Sequence, residues 1–198
     1  MTFEKITRED LPKLTELYSH YLTEGEVLTE NAYAAWDRGD GFGTKAVENG
    51  EIIGFFGLRR GLVFTYPHPE LERELQEVIG DEEIYIVEGM LVLPEYRDRG
   101  IAHRLVAETM ACIPHWSGCI VIEIWIYPDG SAPGKEPQET VGEIIYQKKV
   151  PMFYKDLKQY GMRCPVCGEH CVCGAWIDVA RVRPRQKKMI RRAEHDRE

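Results

Sequence analysis

The sequence lacks any apolar run near the roughly 20 residues that a membrane-spanning helix requires, which argues against an integral membrane protein. Its first ten residues, MTFEKITRED, contain acids and no apolar segment, so they do not resemble a secretory signal peptide. No internal repeat occurs, which excludes a solenoid. These absences predict a cytoplasmic protein that does not act at a membrane.

The charge is distributed unevenly along a chain whose 198 residues suit one domain with a substantial core. Residues 181–198 contain eight Lys/Arg and three acids, a net charge of +5. Since the whole chain has a net charge of −8, residues 1–180 carry a net charge of −13. An acidic body favours a cationic amine, either a small molecule or a peptide, and disfavours nucleic acid. We interpret residues 181–198 as a basic, solvated C-terminal tail, with RNA or an acidic protein as the alternative partner.

The order of the local patterns predicts a mixed α/β (α+β) domain over residues 1–180 with one central sheet. Apolar periodicity and turn residues predict strands at residues 3–6, 44–48, 51–59, 84–93, 119–127 and 175–182. They predict helices at residues 7–22, 67–83, 101–112 and 152–159. Asn49-Gly50 predicts a hairpin, because both residues tolerate positive φ. Residues 84–93 and 119–127 are too apolar for a strand with one wet face, so we place both in the middle of the sheet.

The segment Pro94–Val106, PEYRDRGIAHRLV, connects an apolar strand to an amphipathic helix through an arginine-rich turn. If the helix begins near Gly100, its first N–H groups have no intrahelical partners and form the positive end of the helix dipole. Such a turn can bind an anion, with Arg97 and Arg99 adding charge-assisted hydrogen bonds. The alternative is an ordinary strand-to-helix corner with two solvated arginines.

This segment resembles the acyl-CoA-binding motif of the GNAT superfamily of N-acyltransferases. That motif is a strand, then Val-x-Pro, then Arg/Gln-x-x-Gly-x-Gly/Ala at the start of a helix. Val92 and Pro94 match its first part, and Arg97, Gly100 and Ala102 match its second.

A later pattern of the same family, Asn-x-x-Ala-x-x-Phe-Tyr, resembles residues 147–154. Phe153 and Tyr154 match it, whereas Gln147 and Val150 replace the Asn and Ala. Pro151 would then lie in the first turn of the family's helix, where proline is tolerated. The resemblance covers roughly residues 3–161 and implies a GNAT-like sheet flanked by helices.

The resemblance implies an acetyl-CoA-dependent N-acetyltransferase in which a primary amine attacks the thioester directly. The strand backbone would pair with the pantetheine arm, and the amides of the turn would hold the pyrophosphate. The implied acetyl-CoA-binding residues are Leu91, Val92, Arg97, Asp98, Arg99, Gly100, Ile101 and Ala102. Tyr154 would protonate or hydrogen-bond the departing thiolate.

Two acids interrupt the apolar central strands and are candidates for the general base that the amine needs. They are Glu88 and Glu123, and Glu88 is the first choice because it directly precedes the thioester-binding segment. A carboxylate in an apolar wall tends to have a raised pKa, which suits a base working near neutrality. The alternative is that either acid only pairs with an arginine or with Tyr85 or Tyr127.

Four of the six cysteines, Cys164, Cys167, Cys171 and Cys173, fall within ten residues. The Cys-Pro-x-Cys-Gly sequence resembles a zinc knuckle, and four thiolates suit a structural Zn²⁺ site. The spacing is tighter than in a standard ribbon, and His170 can replace one ligand. Disulfides, which the predicted compartment disfavours, and an iron–sulfur cluster are the alternatives. We expect the cysteines to staple a protruding hairpin away from the pyrophosphate turn.

Three questions stay open at this point. The loop from Tyr127 to about Tyr146 is either a lid over the acceptor or a tolerated insertion. The alternative function is a non-catalytic module that senses acyl-CoA or recruits a partner through the zinc hairpin. Exposed sheet edges would allow a homodimer.

Overall fold

The computed structural model describes residues 1–22, 34–61, 68–113, 115–160, 162–168 and 170–183. These residues form a seven-stranded mixed sheet flanked by helices, which confirms the predicted fold class. The strands are β1 (Thr2–Lys5), β2 (Gly41–Glu48), β3 (Glu51–Arg60), β4 (Ile84–Val92), β5 (Gly118–Ile126), β6 (Glu143–Val150) and β7 (Gly174–Val182). The helices are α1 (Leu11–Tyr21), α2 (Pro69–Ile79), α3 (Ile101–Ala111) and the short α4 (Lys135–Gln138), and residues 34–38 are also helical.

The strand order is β1-β2-β3-β4-β5-β7-β6, so the two most apolar strands lie in the middle, as predicted. All neighbours are antiparallel except β4 and β5, which are parallel. These two pair only between residues 84–86 and 119–121. Their carboxyl-terminal halves therefore share no ladder, and the sheet opens into a cleft there.

The predicted hairpin is present between β2 and β3. Asn49 and Gly50 have φ values of 53° and 83°, the left-handed conformations that a type I′ turn needs at both central positions. The turn sets the register in which β2 and β3 pair. The other edge of β3 pairs with β4.

The helices cover the two faces of the sheet separately. Helix α3 buries Ile101, Leu105, Val106 and Met110 against β3 and β5 on one face. On the other face, α2 packs its leucines on β4, β5 and β7. Helix α1 packs beside Phe55 and Leu91 on that second face. Both central strands are therefore covered on both sides.

The prediction of a helix at residues 152–159 is wrong. Residues 143–150, which include Gln147 and Val150 of the family pattern, form strand β6. Turns follow at residues 151–156, and a 3-10 helix spans Leu157–Tyr160. Strand β6 is the outermost strand, and Lys148 and Lys149 lie on it as charged residues often do on sheet edges. Its polar composition hid it from a search for apolar runs.

The loop predicted from Tyr127 to about Tyr146 is shorter and more ordered than expected. It contains α4 and a 3-10 helix, Glu139–Val141, and ends where β6 begins at Glu143. Gln138 and Val141 are 6% and 5% exposed, so this segment packs into the protein rather than standing off it.

The predicted boundary of the basic tail falls inside the last strand, since β7 continues to Val182. The rest of the tail, residues 184–198, lies outside the described residues. Within the described part of the chain, no helix combines the length and the apolar character needed to cross a membrane. The cytoplasmic location and the homodimer stay predictions.

Candidate active site

A cavity of about 530 Å³ occupies the gap where β4 and β5 separate. It is lined by both strands, by the turn before α3, by α1 and by the segment that contains α4. It brings together almost all of the site residues predicted from the sequence: Glu88, Leu91, Val92, Arg97, Asp98, Gly100, Ile101, Ala102, Glu123 and Tyr154.

The turn at one end of the cavity has the backbone of an anion-binding loop. Asp98 and Gly100 have φ values of 59° and 71°, and Gly100 is the N-terminal cap of α3. No side chain caps this helix among the described residues, so the amides of its first turn point outward without a capping acceptor. A Cβ built on Gly100 would meet no protein atom within 4 Å. The positive φ therefore favours glycine at this position, and a Cβ there would face open space rather than packed side chains.

The two arginines of the turn have different surroundings. Arg97 lines the cavity and donates from Nε to the Val92 carbonyl oxygen at 3.1 Å. Arg99 does not line the cavity; it donates to the Glu95 carbonyl oxygen at 2.8 Å, and its guanidinium lies 5.2 Å from the centre of the Tyr96 ring. Arg97 is thus the arginine that faces a cavity ligand.

Glu88 lies on a β-bulge that the sequence did not reveal. In the β3–β4 ladder Gly57 pairs with Gly89 and Leu58 with Val87, which leaves Glu88 as the extra residue. Its carboxylate accepts a hydrogen bond from Arg59 Nε at 2.5 Å, and the two side chains are 15% and 9% exposed. The arginine partner that the sequence left open is therefore present for Glu88.

Glu123 lies across the cleft on β5 and accepts a hydrogen bond from the Tyr154 hydroxyl at 2.8 Å. Tyr154 is 3% exposed, and the Trp125 ring stacks on it at a centroid distance of 4.4 Å. Burial, and then the charge of Glu123, raise the pKa of Tyr154 well above its usual value. The phenol is therefore protonated at neutral pH and can act as a donor.

Sequence reasoning missed Tyr18, which it assigned only to the apolar stripe of α1. This tyrosine lines the cavity, and its pKa is raised by burial and then by the nearby Glu88 and Glu123 charges. A Cβ on Gly89 would lie 2.9 Å from the Tyr18 ring. A glycine directly after the acid of an apolar strand was the available signal, since it leaves room for a ring to approach the backbone.

The four clustered cysteines form a compact group of thiols. Their sulfur atoms all lie within 4.8 Å of one another, and Cys167 and Cys173 are 3.5 Å apart. A tetrahedral zinc site with Zn–S bonds of about 2.3 Å has sulfurs about 3.8 Å apart, so these four fit the ion. The Cys167 N–H donates to the Cys164 sulfur at 3.3 Å, as in knuckles that hold thiolates. All six cysteines are unpaired, which does not support the disulfide alternative.

The cysteine cluster is more deeply buried than the predicted staple of a protruding hairpin. Cys164, Cys171 and Cys173 are 0–4% exposed and belong to the same core as Phe153 and Tyr154, while none of the four cysteines lines the cavity. The Tyr154 N–H donates to the Cys173 carbonyl oxygen at 3.4 Å. The sequence could not show this, because the contact depends on the unpredicted turn after β6.

Solved structures of acetyltransferases have the same fold. Arabidopsis thaliana NAA60 in complex with a bisubstrate analogue has a TM-score of 0.62 at 17% identity, covering 92% of this chain and 98% of that one. A phosphinothricin acetyltransferase from Sinorhizobium meliloti in complex with AcCoA has a TM-score of 0.55 at 13% identity, with 92% and 88% covered. The ribosomal-protein-alanine N-acetyltransferase of Brucella melitensis has a TM-score of 0.54 at 15% identity, with 92% and 100% covered.

At these identities the structural likeness establishes the fold alone. No protein with a curated description matches the sequence significantly. The family model described as the acetyltransferase (GNAT) family matches residues 9–133, which is more than half of the sequence. That segment includes the cleft between β4 and β5 and the turn before α3. The chain belongs to the GNAT acetyltransferase family.

Proposed function

We propose that the protein transfers an acetyl group from acetyl-CoA to a primary amine by direct attack on the thioester. The observation that carries this proposal is one continuous cavity with an uncapped helix start at one end and the Tyr154–Glu123 pair at the other. The first element suits a diphosphate, and the second suits proton transfer around a thioester.

The free edge of β4 supports acetyl-CoA as the donor. Beyond Ile86, β4 has no ladder with β5, so its backbone can pair with the amides of the pantetheine arm as with an added strand. The same backbone lies beside the thioester, where an N–H group would stabilise the oxyanion of the tetrahedral intermediate. The pyrophosphate would lie on the amides from Asp98 to Ala102, with Arg97 beside it.

Glu123 is the base in this proposal. Glu88, the first choice from the sequence, already forms an ion pair with Arg59. Accepting a proton from the substrate would neutralise Glu88 and break this ion pair, which makes Glu88 a poor base. Glu123 accepts instead from a neutral hydroxyl. It would take the proton from the ammonium group, directly or through a water, and the amine lone pair would then attack the carbonyl carbon.

Tyr154 completes the step on the leaving-group side. When the tetrahedral intermediate collapses, the carbon–sulfur bond breaks and the thiolate of CoA departs. A thiol has a pKa of about 8.5, well below that of a buried phenol, so Tyr154 keeps its proton and stabilises the thiolate by hydrogen bonding. The nitrogen loses its second proton as the amide forms, and the thiolate takes up a proton to give free CoA. No covalent enzyme intermediate is needed.

The acceptor end of the cavity favours a cationic amine, from a small molecule or a peptide. Two carboxylates, Glu88 and Glu123, line it together with five aromatic side chains. An ammonium group gains from both, because carboxylates attract it and aromatic faces bind cations. The aromatic residues are Tyr18, Tyr21, Trp125, Tyr127 and Tyr154.

The cysteine cluster completes the proposal as a structural Zn²⁺ site with Cys164, Cys167, Cys171 and Cys173 as ligands. Four thiolate ligands leave no open position on the ion, so the metal would not bind the acceptor or activate water. Its sulfur–sulfur distances and its inward-pointing amide support this role.

The test is thermal unfolding with and without acetyl-CoA. At about 100 times its Kd, a ligand of the native state adds about 2.7 kcal/mol of stability, so the parent should melt at a higher temperature. Gly100→Glu should abolish the shift, because it places a carboxylate in the pyrophosphate site. Gly39→Glu is the matched control: Gly39 has φ +74°, its Cβ would also meet open space, and it does not line the cavity.

A folded parent that shows no shift at saturating acetyl-CoA would contradict the proposal. A shift that survives in the Gly100 variant would move the pyrophosphate elsewhere. Release of free CoA in the presence of a panel of diamines and amino-terminal peptides then identifies the acceptor. Acetyl-CoA binding without turnover on any amine would favour the non-catalytic module.

A further inference from the structure

We propose that the metal-loaded cysteine cluster lies behind the residues that line the reaction cavity and positions Tyr154 through Trp125 and Cys173. This inference rests on the proposed acetyl transfer and extends it, since it makes the metal site a determinant of the catalytic geometry. The role predicted from the sequence was only that of a staple for a remote hairpin.

The first contact is made by the backbone. Tyr154 donates its N–H to the carbonyl oxygen of Cys173, one of the four proposed ligands. The residues around Tyr154 form turns rather than a helix, so no regular hydrogen-bond ladder fixes its main chain. The bond to Cys173 therefore ties the tyrosine to a residue that a bound ion would hold rigid.

The second contact is made by side chains. The Trp125 ring stacks on Tyr154 at 4.4 Å with an interplanar angle of 21°. Trp125 also lines the cavity, so it is the layer between the cysteine cluster and the acceptor. Moving Trp125 would move the ring whose hydroxyl bonds to Glu123.

A buried donor at this layer indicates what the cysteines hold. The Trp125 Nε1–H is buried and has no hydrogen-bond partner among the described residues. Trp125 packs against the core cluster that contains Cys173. A neutral thiol is a weak acceptor, whereas a metal-bound thiolate is a good one. Metal binding would therefore give the indole N–H an acceptor, the Cys173 thiolate. Without the metal, burial of this N–H without a good acceptor is unfavourable.

The position of the cluster agrees with a supporting role and not with direct chemistry. Among the cysteines and their neighbours, Tyr154, Trp125 and Met162 line the cavity, while none of the four cysteines does. Cys173 and Trp125 are thus positioning residues that act through Tyr154. A tetrahedral thiolate site needs no open coordination position for this task.

The experiment compares the parent, Trp125→Phe and the control Trp176→Phe after exchange of the bound metal for Co²⁺. Trp176 lies on β7 beside Lys135 and Lys149, outside the cavity and the cysteine core. Phenylalanine keeps a ring that stacks on Tyr154 but removes the N–H. We expect one metal per chain in all three proteins, and sulfur-to-cobalt charge-transfer bands that shift only in Trp125→Phe.

The same variant should lower kcat by about tenfold, the effect of one lost hydrogen bond to a charged acceptor, with an unchanged Kd for acetyl-CoA. A parent that contains no metal and takes up none overturns the inference. So do unchanged cobalt bands in Trp125→Phe, or a kcat equal to that of Trp176→Phe. Failure of the proposed acetyl transfer would be distinguishable, because the metal-loaded parent would then turn over no amine while the cobalt bands still report on the Trp125 contact.

Discussion

The hydroxyl of Tyr154 and the carboxylate of Glu123 form a 2.8 Å hydrogen bond at the base of the cleft, joining a turn after β6 to a central strand. Sequence reasoning named both residues for separate reasons, and the fold places them in one bonded pair. A donor bonded to an acceptor in this way can move protons on both sides of a thioester, which is the basis of the first two predictions.

Tyr154→Phe should lower kcat by about 100-fold, because it removes the donor to the departing thiolate. The Kd for acetyl-CoA should stay the same, since the pyrophosphate turn is at the other end of the cavity. Steady-state kinetics and calorimetric titration measure the two quantities. Tyr146→Phe is the control, as its hydroxyl bonds to Glu74 away from the cavity. A Tyr154 variant that keeps its full kcat would remove this residue from the mechanism.

Glu123→Gln and Glu88→Gln should separate the two acids. Glu123→Gln should lower kcat by at least about 100-fold and remove the rise of the rate on the acidic side of the pH profile, with little change in Tm. Glu88→Gln should instead cost about 3 kcal/mol of stability, because it removes the carboxylate that forms an ion pair with the 9% exposed Arg59 side chain. The reverse pattern would return the role of base to Glu88.

The purified protein should contain one Zn²⁺ per chain, measured by elemental analysis. Cys167→Ser should lose the metal and melt at a lower temperature, because binding energy contributes directly to folding at such sites. Cys112→Ser, an exposed cysteine outside the cluster, should change neither quantity. Alkylation of the unfolded, chelator-treated protein without reductant that reaches only two of the six cysteines would show disulfides instead. Iron in the purified protein would support the iron–sulfur cluster alternative.

Part of the stability that is lost as the pH falls should come from Asp10, which accepts hydrogen bonds from Lys45 Nζ at 2.5 Å and from the Thr7 N–H at 2.8 Å. Burial acts to raise the pKa of Asp10, but these bonds outweigh it and leave the pKa below the usual 3.8. A lowered carboxyl pKa contributes stability above the unfolded value, and this contribution is lost as the pH falls through the folded one.

Asp10→Asn should therefore cost about 1–2 kcal/mol at pH 7, and the difference from the parent should shrink below about pH 4. Denaturant unfolding at a series of pH values measures it. Glu51→Gln, at the exposed start of β3, is the control. A difference that persists unchanged to pH 2.5 would show that the charge of Asp10 is not the cause.

The parts of the fold that sequence reasoning predicted are those encoded locally. The Asn49-Gly50 turn, the apolar runs of β4 and β5 and the start of α3 at Gly100 each follow from a few neighbouring residues. Strand β6 was missed because its partner, β7, lies more than 20 residues later and its own composition is that of an edge. The family pattern named Tyr154, which lines the cavity, whereas the helix predicted at residues 152–159 is absent.

The candidate site was predictable by residue and not by contact. Both acids stood out because charge interrupts an apolar strand. Their partners did not, since the Arg59 contact with Glu88 requires a bulge and the packing of the cysteines behind Tyr154 requires the whole turn after β6. Tyr18 lies on α1, far from β4 along the chain, so Gly89 indicated that a ring could approach there but not which ring it was.

The three-residue ladder between β4 and β5 divides the sheet into two well-bonded halves with a narrow seam. Four antiparallel strands lie on one side of it and three on the other. Because few hydrogen bonds join the two halves, each half is more rigid than the connection between them. We expect the sheet to flex mainly by a change in the angle between its halves. A chain-like cosubstrate lying in the seam would bridge the two halves and restrict this motion. The backbone amide protons of residues 87–92 should therefore exchange with solvent more slowly when it is bound.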